Sequence, residues 1–112
     1  MNRENKILVV ENNPSISRAI EAQFNCDCAT DGWDAIEKLE HRAYAAIVID
    51  ADVPRQSGYG VLTWLREEVG EALGNVIVMT GSDRDAVRRR FGPALNVVAK
   101  ADAVAEITRV LG

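Results

Sequence analysis

Proline is scarce, with 3 in 112 residues, and aromatic side chains make up only 5%. Aromatics being few, it is the 47% hydrophobic content together with the low proline count that argues against a disordered or multidomain chain and predicts one ordinary soluble domain over residues 1–112. No apolar run approaches the ~18–20 residues a membrane span needs. Met1–Lys6 leads directly into a short β-type run rather than a signal-peptide core, so the expected compartment is the cytoplasm, with no membrane partner. Basic charge is in deficit: 13 Lys and Arg against 17 Asp and Glu give a net charge of −4. Such a surface has no general attraction for nucleic acid, whose binding is driven by phosphate neutralisation. Cysteine is limited to Cys26 and Cys28, two apart in a strand-like segment, which places them on one face too far apart for an easy bridge. They are expected to be a buried thiol pair. The only histidine, His41, shares no motif with them and is expected to be exposed, which removes metal–thiolate chemistry. At this length folding buries roughly 65% of the unfolded surface, enough for a core without cross-links.

What is present is a regular alternation. Ile7-Leu8-Val9-Val10 is a wholly apolar, β-branched run, followed by Glu11-Asn12-Asn13 and by Pro14 at a helix start. Ile16, Ala19, Ile20, Gln23 and Phe24 then recur at helical spacing, with Asn25 as the expected stop. A strand over Cys26–Ala29, a turn at Thr30-Asp31-Gly32 and a helix from about Trp33 to Arg42 follow, with Trp33, Ile36 and Leu39 on one side. Ala45–Ile49 is a third apolar run ending at Asp50, and Gly58 opens a helix carrying Val61, Leu62, Leu65 and Val69. Val76–Met79 ends at Thr80, Asp83 to about Phe91 is a short helix, and Asn96–Ala99 ends at Lys100. Val104, Ile107 and Leu111 mark the last helix. Five βα units predict an α/β fold, a five-stranded parallel sheet with helices on both faces.

In such a sheet, chemistry gathers beyond the carboxyl ends of the strands, where loops and helix N-termini replace packed core. The residues there are Glu11, Asn12, Asp50, Thr80 and Lys100. Each has a task if the reaction is phosphoryl transfer to a carboxylate. Asp50 serves as nucleophile, and Glu11, Asn12 and a backbone carbonyl just past Asp50 offer oxygen ligands to Mg²⁺. Thr80 donates a hydrogen bond to one phosphoryl oxygen while Lys100 pairs with another. An unrelated flavodoxin-like enzyme is disfavoured, because Glu11-Asn12-Asn13-Pro14 stands where a Gly-rich phosphate loop would follow the first strand.

Across nearly its whole length the sequence resembles the receiver domain of two-component response regulators. The resemblance rests on ILVVEN (7–12), IVIDADVPRQSG (47–58), VIVMTG (76–81) and VVAK (97–100), and most specifically on the spacing of Asp50, Pro54 and Gly58. It implies a flavodoxin-like fold with strand order 2-1-3-4-5. It further implies that Asp50 is the phosphoacceptor, charged by a histidine kinase or phosphotransfer protein, in a signalling domain rather than an enzyme. Asp50, Glu11, Asn12 and the Asp52 carbonyl would hold Mg²⁺, with Thr80 and Lys100 reading the phosphoryl group. The output partner is then a protein on the helix 4, strand 5, helix 5 face, and pairing of two copies is left open. Such switching is a population shift to which phosphate supplies differential contacts.

The sequence departs from the family in places. Asn12 replaces the usual Asp, and one negative charge fewer predicts weak Mg²⁺ binding. The Asp52 side chain has three readings: it restores acidity, repels phosphate or orients a hydrolytic water. Val97 stands where many receivers carry an inward-rotating aromatic, and Ala101 replaces a usual Pro. These departures support a second hypothesis, a receiver-fold interaction module not switched by phosphorylation. Arg84, Arg88, Arg89 and Arg90 read as a solvated helical face offset by Asp83 and Asp85, or as a docking patch for an acidic partner. Trp33 and Trp64 read as helix packing or edge contacts. The chain ends about a dozen residues after Lys100, so no output domain is expected to follow if this is the natural length.

Overall fold

The computed structural model describes residues 6–52, 57–69, 75–92 and 95–112. β1 (Ile7–Val10) is buried along its whole length, as a strand apolar on both faces must be. β3 (Ala46–Asp50) and β4 (Val76–Thr80) are likewise fully buried. β2 (Cys26–Ala29) and β5 (Asn96–Ala99) are less so and carry the polar residues Asp27 and Asn96. All pairings are parallel, in the order β2-β1-β3-β4-β5, which is the doubly wound, flavodoxin-like arrangement expected.

Alternation along the strands splits the core in two. Leu8, Val10, Ile47, Ile49, Val78 and Val97 face α2 (Gly32–His41), α3 (Ser57–Val69) and α4 (Arg84–Phe91). Ile7, Val9, Val48, Ile77 and Met79 face α1 (Pro14–Glu21) and α5 (Ala103–Leu111). The starts of α1, α2 and α4 are fixed by side-chain caps. Asn13 accepts from the Ser15 N–H, Asp31 from Asp34 and Asp83 from Asp85, each worth about 1 kcal/mol. α4 stops at Gly92, whose φ of 139° is open to glycine and strained for other residues.

Four local expectations change. α1 ends at Glu21 rather than running to Asn25. The N–H groups of Gln23 and Phe24 both return to the Ile20 carbonyl, making a tight turn that swings the chain into β2. Trp33 is 85% exposed. The buried stripe of α2 centres on Ala35, Ile36 and Leu39, and Trp33, in the first turn, stands at the sheet rim with no core above it. Trp64 does pack against the core. Cys26 and Cys28 are free thiols but only half-buried, because β2 is an edge strand. A 3₁₀ turn over Lys100–Asp102 separates β5 from α5. Pro54 lies outside the described residues, and Gly58 falls in the first turn of α3. No described helix is long and apolar enough to cross a membrane.

Candidate functional site

Sheet register brings the strand-end residues together. Val10 is level with Ile49, so Glu11 comes level with Asp50. Asp50 is level with Met79 and Thr80 with Ala99, so Thr80 and then Lys100 each stand one step further out. The ladder continues past the strands to hold this edge, with the Glu11 N–H donating to the Ala29 carbonyl at 3.0 Å and the Ala51 N–H to the Met79 carbonyl at 2.9 Å. Glu11 and Asp50 are each 2% exposed and Thr80 is fully buried, an unusual concentration of polar groups in an apolar sheet.

Asp50 is held from two sides. Its Oδ1 accepts the Asp52 N–H at 2.8 Å and its Oδ2 accepts Lys100 Nζ at 3.1 Å. Glu11 Oε2 accepts the Asn13 N–H at 3.0 Å, whereas Glu11 Oε1 is buried with no hydrogen-bond partner. Thr80 Oγ1 accepts the Ser82 N–H at 2.9 Å and donates to Asp52 Oδ1 at 2.8 Å. Asp52 Oδ2 accepts the Gly81 N–H at 2.6 Å and lies 3.7 Å from Lys100 Nζ. Asp50 and Asp52 thus share one ammonium, and Glu11 lies in its field.

The protonation equilibria reflect this excess of acid. Burial first, and the neighbouring Asp50 carboxyl second, push Glu11 up to about 7, against the Asn13 N–H and Lys100, which pull it down. Partial burial works against the Lys100 charge, but Asp50, Glu11 and Asp52 outweigh it and hold Lys100 above the usual lysine range. An orphaned carboxylate oxygen beside a second buried carboxylate suits a hard, oxygen-seeking cation. Among the described residues, no three His, Cys, Asp or Glu side chains could hold a metal unaided, so a cation here would also take backbone and water oxygens.

The structure therefore gathers Glu11, Asp50, Asp52, Thr80 and Lys100 at one edge. It leaves Asn12 on an exposed bend, with no hydrogen bond to the others. Val97 is buried and Ala101 exposed. The Gly81 amide is a participant that the sequence reading missed. Its signal was a glycine directly after a strand-end threonine, where a free N–H points off the sheet edge. Of the α4 arginines, Arg84, Arg89 and Arg90 are exposed, while Arg88 reaches Asp85 and the Val97 carbonyl.

A second polar group sits at the opposite, amino end of the sheet. Asp27 meets Lys6 Nζ at 2.9 Å, the Tyr44 hydroxyl at 2.6 Å and Arg42 Nη1 at 4.0 Å, while the Asn75 amide donates to the Tyr44 carbonyl.

Several known proteins are similar to the chain in sequence or in fold. Curated relatives include the transcriptional regulatory protein DltR of Streptococcus agalactiae, 36% identical over 67 residues, which are 55% of this chain and 30% of that protein. The match thus spans less than a third of the length of DltR. Protein Rrf1 of Nitratidesulfovibrio vulgaris is 27% identical over 100 residues, 85% of this chain and 71% of that protein. Among solved structures, the receiver domain of the Pseudomonas aeruginosa sensor histidine kinase PA1611, which has a magnesium ion in its active-site cleft, superposes with a TM-score of 0.72. It is 24% identical, with 96% of this chain and 98% of that one covered. A response regulator from Chloroflexus aurantiacus gives a TM-score of 0.77 at 17% identity, covering 97% and 98%. A sequence model of the response regulator receiver domain matches residues 7–109, and the chain belongs to that family.

Proposed function

We propose that the protein is a phosphoacceptor in a two-component relay, taking a phosphoryl group on Asp50 from a histidine kinase or phosphotransfer protein in the cytoplasm. The observation that carries this reading is the buried Asp50 carboxylate set 3.1 Å from Lys100 at the rim shared with Glu11 and Thr80. In the transfer an Asp50 oxygen attacks phosphorus, the donor's N–P bond breaks, and its electron pair stays on the imidazole, giving an acyl phosphate. Lys100 pairs with a phosphoryl oxygen and Thr80 donates a hydrogen bond to another. Glu11, Asp50, the Asp52 carbonyl and, more weakly, Asn12 would hold Mg²⁺, which when bound screens carboxylate from phosphate. Asn12 supplies an amide where a carboxylate would add charge, so binding is weak and Asn12→Asp tightens it. Output is protein binding on the α4, β5, α5 face.

Incubation with acetyl phosphate and Mg²⁺ followed by intact-mass measurement tests the reading. One added phosphoryl group, absent in Asp50→Ala, is expected; no adduct under any condition would refute it. A second reading, an interaction module not switched by phosphate, is favoured by one observation: Thr80 and Lys100 already have a carboxylate, Asp52, in contact.

A further inference from the structure

The two groups proposed to read a phosphoryl group, Thr80 and Lys100, and the Gly81 amide beside them differ in chemistry, yet they converge on one side chain. A hydroxyl (Thr80, 2.8 Å), a backbone amide (Gly81, 2.6 Å) and an ammonium (Lys100, 3.7 Å) all meet the Asp52 carboxylate. Asp52 is placed there by its own backbone, because its N–H donates to Asp50 Oδ1 at 2.8 Å and so closes a two-residue loop over the acceptor. The Thr80 hydroxyl is also fixed from behind by the Ser82 N–H, which leaves its proton free to point at Asp52. Hydroxyl, amide and ammonium form a donor set for a terminal oxyanion, and a carboxylate satisfies it with two oxygens and one charge.

We propose that Asp52 is a built-in occupant of the phosphoryl-reading subsite: its carboxylate holds Thr80, Gly81 and Lys100 in the engaged arrangement and must be displaced before a phosphoryl group on Asp50 can use them. This rests on the phosphoacceptor reading and adds a regulatory element to it. The phosphoryl oxygens and the Asp52 oxygens compete for the same three donors, and as like charges they cannot share them. The resting protein therefore has Thr80 drawn to the rim without phosphate, and uptake is slowed by the need to expel a bound anion. The Asp52 side chain is 30% exposed, so it has a solvent path by which to leave.

The test uses beryllofluoride, a tetrahedral phosphoryl mimic, at saturating Mg²⁺ set separately for each variant and followed by fluorine NMR. Asp52→Ala and Asp52→Asn both keep the backbone carbonyl and N–H. In Asp52→Ala the mimic is expected to bind at least tenfold more tightly than in the natural chain, with Asp52→Asn in between, because its amide still accepts but carries no charge. The Gly81 amide proton should lie further upfield in metal-free Asp52→Ala than in the metal-free natural chain, and should return downfield once Mg²⁺ and the mimic are added. If the mimic occupies Asp50 in all three proteins with affinities within twofold, or more weakly in the variants, the competition is refuted while the phosphoacceptor reading stands. If neither the natural chain nor the variants take up the mimic, both fall together.

Discussion

At the amino end of the sheet one carboxylate, Asp27, meets Lys6, the Tyr44 hydroxyl and Arg42; at the carboxyl end Asp50 and Asp52 meet the ammonium of Lys100, and the Glu11 carboxyl beside Asp50 lies in its field without touching it. Both clusters combine an acid, a base and a hydroxyl. They differ in the ratio. Partial burial opposes the charge of Asp27, but the hydrogen bonds from Tyr44 and Lys6 and the field of Lys6 and Arg42 outweigh it and hold its carboxyl below the usual range. At the other end the surplus of acid leaves Glu11 Oε1 unpartnered and its carboxyl far above that range. A satisfied cluster pins β1, β2 and the segment before β3; the other cluster carries a surplus of acid that a cation would offset.

The largest effect that would break this contrast is on phosphoryl uptake. Lys100→Ala should slow labelling by acetyl phosphate about 100-fold, as loss of one charged donor at a developing anion does. Lys6→Ala should leave the labelling rate unchanged, and equal slowing would erase the distinction. Next comes pH. Glu11 keeps its proton in the folded state up to about 7, whereas the unfolded carboxyl releases it near 4.5. The folded state binds more protons between those values, so this group's contribution to stability falls as pH rises through that window, by on the order of 3 kcal/mol. Asp27 slopes the other way, its contribution being present above ~3.9 and lost as pH drops through its lower folded value. Urea melts across pH 3–8 should show a rise and then a fall, and Glu11→Gln should flatten only the upper limb. Smaller still, Tyr44→Phe removes the 2.6 Å hydrogen bond to Asp27 and should cost about 1.5 kcal/mol in urea midpoint, with labelling intact. The least perturbing probe is chemical. Burial first and nearby carboxylates second push Cys26 up to about 11 and Cys28 up to about 12. Iodoacetamide at pH 8 should therefore alkylate them more slowly than in urea, where thiols return to about 8.5, by a factor of at least about 100 and more for Cys28 than for Cys26.

The carboxyl-end cluster was largely legible in sequence because parallel strands with apolar bodies deliver their next polar residue to a common rim. Glu11, Asp50, Thr80 and Lys100 each follow such a body, and Ile7–Val10 and Val76–Met79 are too uniformly apolar to sit anywhere but the sheet centre. Two kinds of information were missing. A backbone amide has no letter of its own, so Gly81 was hidden behind Thr80. Side-chain direction in a turn is set by local hydrogen bonds, so the sequence left three readings of Asp52 open and did not anticipate its contacts with Thr80 and Gly81. The amino-end cluster was not anticipated at all. Asp27 lies between two cysteines in a short edge strand, and nothing in its neighbours announces Tyr44, 17 residues later. Trp33 misled for a related reason: periodicity gives a helix face but not where the helix overhangs the sheet.

The one-residue stagger from Glu11 and Asp50 to Thr80 to Lys100 has a consequence for how the molecule can be altered. Because each reactive group sits just at or past the end of a pairing ladder, exchanging it for another side chain need not disturb the strand behind it, so the rim can be rewritten letter by letter. Adding or removing one residue within a strand would do the reverse, keeping every letter while moving one rung out of line and turning that strand's apolar faces over. Substitution here edits chemistry, whereas insertion edits the scaffold.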